Sequence, residues 1–136
     1  MVHTLTVLTL RLAEAIGLFA LVAGLAMFVA PGRMAAIVDD MERSAAATYI
    51  YGAALYVVGV AILIPHHVTY DPLALVVTLF GVAMLVEGLV MVAAPRFLFS
   101  LARSLMAASR LWAIVSIVAG LLLFLAGLTG RADALP

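Results

Sequence analysis

Four residue types are missing from the sequence, which contains no lysine, asparagine, glutamine or cysteine. The lack of cysteine excludes disulfides, thiolate chemistry and cysteine-ligated metal. Charged residues are scarce, at 10% of the 136 residues, and the seven arginines balance seven acidic residues. Since a surface that binds nucleic acid needs net positive charge, no nucleic-acid partner is expected. Nucleophilic triads, phosphate-binding glycine loops and zinc-protease motifs are absent as well, so we predict neither enzymatic activity nor a cofactor.

Apolar residues make up 68% of the chain, well above the share in a soluble domain. Because a helix needs ~20 apolar residues to cross a bilayer, four runs are long enough: 5–30, 46–65, 72–94 and 109–128. The first run lacks a basic n-region and a convincing cleavage site, so we interpret it as a retained helix and not as a signal peptide. The sequence predicts an all-α membrane protein, one domain in a lipid bilayer.

One stretch of the chain occurs twice. Residues 17–31, GLFALVAGLAMFVAP, and residues 81–95, GVAMLVEGLVMVAAP, agree at eight of fifteen positions, including two glycines and a proline. Each copy is an apolar helix stopped by proline and followed by a second apolar helix. We therefore expect two tandem hairpins, over 5–65 and 72–128, as parallel repeats. The glycines in the second helix of one copy align with those of the other only if the second copy contains about four extra residues.

The segment that joins the two helices of each hairpin has one polar face and one apolar face. In both 33–45 and 96–108 the apolar residues recur at helical spacing. We predict two amphipathic helices in the membrane interface, on the same side; the alternative is a solvated loop. Five arginines lie in or beside these connectors, against two elsewhere. By the positive-inside rule the connectors are cytoplasmic and both termini lie outside the cytoplasm.

Pairs of glycines seven residues apart recur in every predicted span. This spacing keeps both glycines on one helix face and lets two backbones approach closely, which is how helices associate in lipid. We therefore interpret them as packing residues: Gly17, Gly24, Gly52, Gly59, Gly81, Gly88, Gly120 and Gly127.

Glu87 is the most unusual charge in the spans. It lies eight residues before Pro95 and so roughly 12 Å from that helix end, where a bare carboxylate is costly. Its partner is expected to be Arg110 or one of the tyrosines of the second span, Tyr49, Tyr51 and Tyr56. A structural pair and a transport role both fit the sequence.

Arg11 and Glu14 share one face of the first span. They are predicted to form an ion pair at the headgroup level, or Glu14 is a proton or cation site. The helix rise places Glu14 about 13 Å from Glu87 in depth, so we expect two separate sites.

Histidines gather on the predicted outer side. His3, His66, His67 and Asp71 are potential ligands for zinc or haem. Adjacent histidines in a turn point in different directions, and no second ligand pair has a defined spacing. We predict no metal site, and the sequence leaves the roles of His66 and His67 open.

The stretch 81–120 resembles the YjeT-like family of small bacterial inner-membrane proteins of unknown function. The shared features are Glu87-Gly88-Leu89, the Ala94-Pro95-Arg96 stop, Arg110 and a glycine in the second helix. Residues 14–64 resemble a more diverged copy, in which Ala23 replaces the glutamate and Gly32 separates Arg33 from the proline. The resemblance implies a duplicated hairpin in the bacterial inner membrane and no activity.

The segment LAEAIG, which contains Glu14, is similar to the first helix of small multidrug resistance exporters. In that family the glutamate alternately binds a proton and a cationic drug. The later glycine- and tryptophan-bearing helices of that family are missing here. We therefore predict a membrane scaffold or accessory subunit, which forms a homo-oligomer or joins a larger complex; the alternative is a proton-coupled exporter that uses Glu14 or Glu87.

Overall fold

The structure, a computed structural model, describes residues 2–66 and 71–134, and for residues 2–6 and 131–134 it describes the backbone alone. Within these ranges the chain forms helices and no strand: α1 Val2–Val29, α2 Pro31–Arg43, α3 Ala45–Leu63, α4 Pro72–Ala93, α5 Pro95–Met106 and α6 Ser109–Ala134. The all-α class is confirmed. Four helices, α1, α3, α4 and α6, are long and apolar enough to cross a membrane, in agreement with the four predicted spans.

A single residue separates each span from the surface helix that follows it. Ala30 (φ −131°, ψ 72°) and Ala94 (φ −146°, ψ 61°) leave the helical conformation, and the next residue already begins α2 or α5. Pro31 and Pro95 therefore start helices instead of only stopping them, because a proline at the first helical position lacks an N–H that would have no partner there. Both connectors are helical, and they begin slightly earlier than predicted.

Side-chain caps fix the starts of α3 and α4. Ser44 accepts a hydrogen bond from the Ala47 amide at 3.1 Å, and Asp71 accepts one from the Ala74 amide at 3.1 Å. The Thr48 hydroxyl donates to the Met41 carbonyl oxygen at 2.7 Å, which satisfies an acceptor in the last turn of α2. Ser44 and Thr48 together hold the corner between α2 and α3.

The spans pack in two pairs, α1 along α6 and α3 along α4. The two spans of one predicted hairpin are thus not close partners. The connector explains this arrangement: α2 has 13 residues and is roughly 20 Å long, about twice the distance between two packed helices. The α2 helix therefore displaces α3 from α1, and α3 packs against α4.

Glycines bring α1 and α6 into backbone contact. A Cβ atom built at Gly120 would lie 2.8 Å from the carbonyl oxygen of Gly17, and one at Gly24 would lie 2.9 Å from that of Ala113. Gly127 abuts the α1 backbone in the same way. None of the described glycines has positive φ, so close approach and not backbone conformation accounts for them.

The α3–α4 interface repeats these contacts. A Cβ at Gly59 would lie 2.9 Å from the carbonyl oxygen of Gly81, and one at Gly88 would lie 2.6 Å from that of Gly52. Gly59 thus meets Gly81 as Gly120 meets Gly17. Gly59 and Gly120, which occupy these like positions in α3 and α6, are 61 residues apart in the sequence.

The two helix pairs meet at their ends and separate between them. At the end away from the connectors, Ala13 and Ile16 of α1 pack against Ile62 of α3 and Val77 of α4. At the connector end, Val38 of α2, Met91 of α4 and Phe99 of α5 form a second cluster. A cleft of about 840 Å³ lies between α1, the connectors and the α3–α4 pair.

We predict that Gly88→Ala destabilises the protein, because the new Cβ would lie 2.5 Å from the backbone nitrogen of Tyr56. Overpacking against backbone is expected to lower the free energy of unfolding by about 1–3 kcal/mol. Gly81→Ala should cost less, since its Cβ would meet the side chains of Ile62 and Leu63. Gly32→Ala, with nothing within 4 Å, is the control. Unfolding in mixed detergent measures the differences, and equal stability of the Gly88 and Gly32 variants would contradict this packing.

Candidate functional site

Glu87 and Tyr51 meet where α3 and α4 come closest. Each residue immediately precedes a contact glycine, Glu87 before Gly88 and Tyr51 before Gly52. Because these glycines place the two backbones in contact, the long side chains beside them reach each other. The Tyr51 hydroxyl donates a hydrogen bond to Oε1 of Glu87 at 3.2 Å. Of the partners expected from the sequence, one tyrosine fills the role.

Arg110 occupies the other helix pair. It is exposed in the first turn of α6, which packs against α1, whereas Glu87 belongs to α4, which packs against α3. Nor do Tyr49 and Tyr56 take the place of Tyr51, because the register between Gly52 and Gly88 selects one tyrosine of α3. The sequence identified the right residue type, and the register decides among its members.

The Glu87–Tyr51 pair lies in the wall of the 840 Å³ cleft. The other residues that line this cleft are apolar and include aromatic and methionine side chains, among them Phe19, Met34, Val86, Phe97 and Leu101. The cleft therefore combines an apolar surface at membrane depth with one carboxylate and one hydroxyl. Such a surface suits a hydrophobic segment or molecule that brings a single hydrogen-bond donor.

Glu14 lies in the α1–α6 interface and not in the cleft. Its Oε2 is 3.9 Å from a guanidinium nitrogen of Arg11, whose side chain is 58% exposed, while that of Glu14 is 14% exposed. The absence of a side chain at Gly127 makes room for the Cγ of Glu14. Since an exposed pair at this distance contributes little stability, close packing against α6 is the stronger constraint on Glu14. Glu14 and Glu87 belong to different helix pairs.

His66 forms a buried polar node that the sequence did not reveal. It is fully buried, with Nε2 2.7 Å from Oγ1 of Thr9 and Nδ1 3.1 Å from Oγ1 of Thr78. A neutral imidazole donates from one nitrogen and accepts at the other, so the two hydroxyls match it. The node joins α1, the end of α3 and α4. Its members come from three separate parts of the chain. The sequence feature that could have indicated the node is the presence of a threonine inside each of two apolar spans, Thr9 and Thr78.

The remaining potential metal ligands do not form a site with His66 in the described part of the chain. Among the described residues no three His, Cys, Asp or Glu side chains come together. Asp71 caps α4 through its carboxylate. His67 and the side chain of His3 lie outside what the structure describes.

A charge cluster fastens the two connectors to each other. Arg103 of α5 donates to Asp39 of α2 at 2.8 Å and also binds the carboxylate of Glu42. These hydrogen bonds, first that to Glu42 and then that to Asp39, raise the pKa of Arg103 above its ordinary value, so the guanidinium stays charged. The sequence predicted an amphipathic connector but did not indicate that α5 supplies the partner of Asp39 and Glu42.

Comparisons of the chain with protein-family models, with curated proteins and with solved structures find no match. The chemistry of the chain therefore has to be argued from its own side chains. They offer a carboxylate–tyrosine pair in an apolar cleft, a buried histidine node and a charge cluster between the two connectors.

We predict that Thr78→Val destabilises the protein by about 1–3 kcal/mol, because it removes a hydrogen-bond partner of the fully buried His66 while keeping the shape of the side chain. Thr129→Val is the matched control, since the exposed Thr129 hydroxyl bonds only within its own helix, to the Leu125 carbonyl. Its effect should stay within about 0.5 kcal/mol. Detergent unfolding of both variants measures this, and an equal loss in both would exclude the node as a stabilising contact.

Proposed function

We propose that this chain is an integral membrane scaffold or accessory subunit, without catalytic activity, that packs against a second copy of itself or against a larger membrane complex. The observation that carries the proposal is the apolar cleft between the two helix pairs, with its one carboxylate already bound by Tyr51. A paired carboxylate tolerates membrane depth without having to exchange protons. The cleft then offers mainly shape and apolar surface to a neighbouring helix.

The positions of the glycines support a contact between the partner and this cleft, and not between the partner and an exposed helix face lined with glycine. All eight heptad glycines are buried in the two helix pairs of the chain itself. A partner helix therefore does not find them exposed. The cleft wall instead presents large side chains, including Phe97, which is 64% exposed, and Val86, which is 50% exposed.

A duplicated hairpin is the second part of the proposal. It is supported by the matching Ala30 and Ala94 kinks, 64 residues apart, and by the matching contacts of Gly17–Gly120 and Gly81–Gly59. In this arrangement the first span of each repeat packs against the second span of the other repeat, as two copies of a hairpin protein would do in a dimer. The resemblance to the YjeT-like hairpin fits the same history.

We also propose that the protein resides in the bacterial inner membrane with both connectors in the cytoplasm, because five of the seven arginines lie in or beside them. Both termini then face the outside. An alkaline phosphatase fusion after Pro136 should be active, and an inactive phosphatase there would reverse the topology.

A proton-coupled exporter is the second candidate, and one observation favours it. Glu87 lines the cleft beside Tyr51 instead of being sealed inside the α3–α4 interface. A hydrophobic cation in the cleft would lie beside a carboxylate, which is the arrangement that exchange of a cation for a proton needs. Glu14, packed against α6, is the less suitable of the two glutamates.

Substitution of Glu87 separates the two candidates. In the scaffold, Glu87→Gln keeps an acceptor for Tyr51 and should assemble normally, whereas Glu87→Leu removes the acceptor and should lose about 1–3 kcal/mol. In an exporter both variants should lose proton-coupled efflux while assembly persists in the Gln variant. Assembly is measured by a photo-crosslinking residue in place of Val86, with Leu122 on the outer face of α6 as the control position. A cross-link from position 86 that the Gln variant retains and the Leu variant loses, in a protein without efflux activity, supports the scaffold, and efflux that Glu87→Gln abolishes contradicts it.

A further inference from the structure

A second cleft, of about 570 Å³, lies where the α2–α3 corner meets the kink between α4 and α5. We call it the arginine cleft. Two arginines lie at its polar rim, and its deeper wall is apolar. The residues that define it are Arg43, Thr48, Tyr49, Met91, Arg96 and Phe99.

The rim of the arginine cleft carries net positive charge, since two arginines and one acidic residue line it. Glu42 also lines it, but its carboxylate is bound by Arg103, together with Asp39. In the described ranges, Arg43 and Arg96 form no ion pair with an acidic residue of the chain. These two guanidinium groups come from different helices and line the same opening. They match an anion that accepts hydrogen bonds from both.

The depth profile of the cleft matches a phospholipid. Arg96 is the second residue of α5, just past the kink, whereas Met91 lies four residues before Pro95 and so roughly 6 Å deeper along α4. Met91 and Phe99 are buried in the protein's own packing, whereas Val92 of α4 and Tyr49 of α3, which also line the cleft, are 42% and 62% exposed. A phosphate on the arginines would thus continue into an acyl chain on apolar surface. A free anion would leave that apolar wall without a partner.

The chain contains another cleft near a kink that no described arginine lines, and this cleft serves as an internal control for the role of the arginines. A corresponding cleft of about 340 Å³ lies beside the α1–α2 kink and is lined by Met27, Ser109 and Trp112, among others, but by no arginine of the described residues. Met27 precedes its kink by the same number of residues as Met91, yet Gly32 stands where the second half has Arg96. Only one of the two related clefts is thus equipped for an anion.

We infer that the arginine cleft binds one anionic phospholipid, with its phosphate on Arg43 and Arg96 and an acyl chain against the exposed side chains of Val92 and Tyr49. The neutral cleft beside Trp112 holds lipid without preference for charge. The lipid would join α2, α3, α4 and α5 at one corner, and this cleft adjoins the cleft of Glu87 at Met91 and Phe99, which line both.

Fluorescence quenching in vesicles tests the inference. Trp112 is the single tryptophan and reports the neutral cleft, while the double change Trp112→Phe and Tyr49→Trp moves the reporter to the arginine cleft. The vesicles are phosphatidylcholine with an equal fraction of either brominated phosphatidylglycerol or brominated phosphatidylcholine. Each arginine near an anionic headgroup is expected to add roughly fivefold to the lipid preference. The reporter at position 49 should therefore prefer phosphatidylglycerol several-fold more strongly than Trp112, whose cleft is lined by no described arginine.

Arg43→Gln with Arg96→Gln should abolish the preference, while Arg33→Gln, an exposed arginine of α2 outside the cleft, should retain it. Native mass spectrometry of the chain with Tyr49 and Trp112 intact should show one retained phosphatidylglycerol that the double arginine variant loses. If the Arg33 variant lost the preference for phosphatidylglycerol to the same extent, general surface charge would explain the preference, and the proposed binding site would be wrong. If millimolar glycerol phosphate displaced the brominated lipid, the arginines would be a site for a free anion, and the proposal of a bound phospholipid would be wrong.

Discussion

Backbone contact between glycine-bearing helices is the interaction on which the other features of this protein depend. Helices in lipid have no hydrophobic drive toward each other, so their association relies on close van der Waals packing. Here the glycines bring α1 onto α6 and α3 onto α4 until carbonyl oxygens lie less than 3 Å from the position of an absent Cβ. The same contact sets the register that aligns Tyr51 with Glu87. In the described part of the chain, no buried side-chain nitrogen or oxygen atom is left without a hydrogen-bond partner.

The surface helices decide how the pairs relate to one another. With 12 and 13 residues, α5 and α2 hold the consecutive spans of each half apart, so each span meets its partner from the other half of the chain. The Arg103 cluster joins these two helices, and the His66 node ties the opposite end together. Between the two ends the pairs do not fill the space, which creates the cleft beside Glu87. The cleft is therefore a consequence of connector length.

The features of the fold that depend on neighbouring residues in the sequence were predictable, and those that depend on packing between distant helices were not. Long apolar runs, the kinks before Pro31 and Pro95 and the amphipathic connectors are signals carried by neighbouring residues. The pairing of spans is different, because Gly17 and Gly24 have the same spacing whether they meet α3 or α6. The role of His66 depends on threonines in two other helices, and the choice of Tyr51 depends on a register that only packing defines.

Cysteine cross-linking tests the exchanged pairing most directly, since the chain has no natural cysteine. Tyr51 precedes Gly52 as Trp112 precedes Ala113, and Glu87 precedes Gly88 as Ala23 precedes Gly24, so these positions report both possible arrangements. Cysteines are introduced in pairs and treated with a short bifunctional maleimide in membranes. The structure predicts cross-links for positions 51 with 87 and 23 with 112. Efficient cross-links for 23 with 51 and 87 with 112, within one chain, would contradict it and restore two internally packed hairpins.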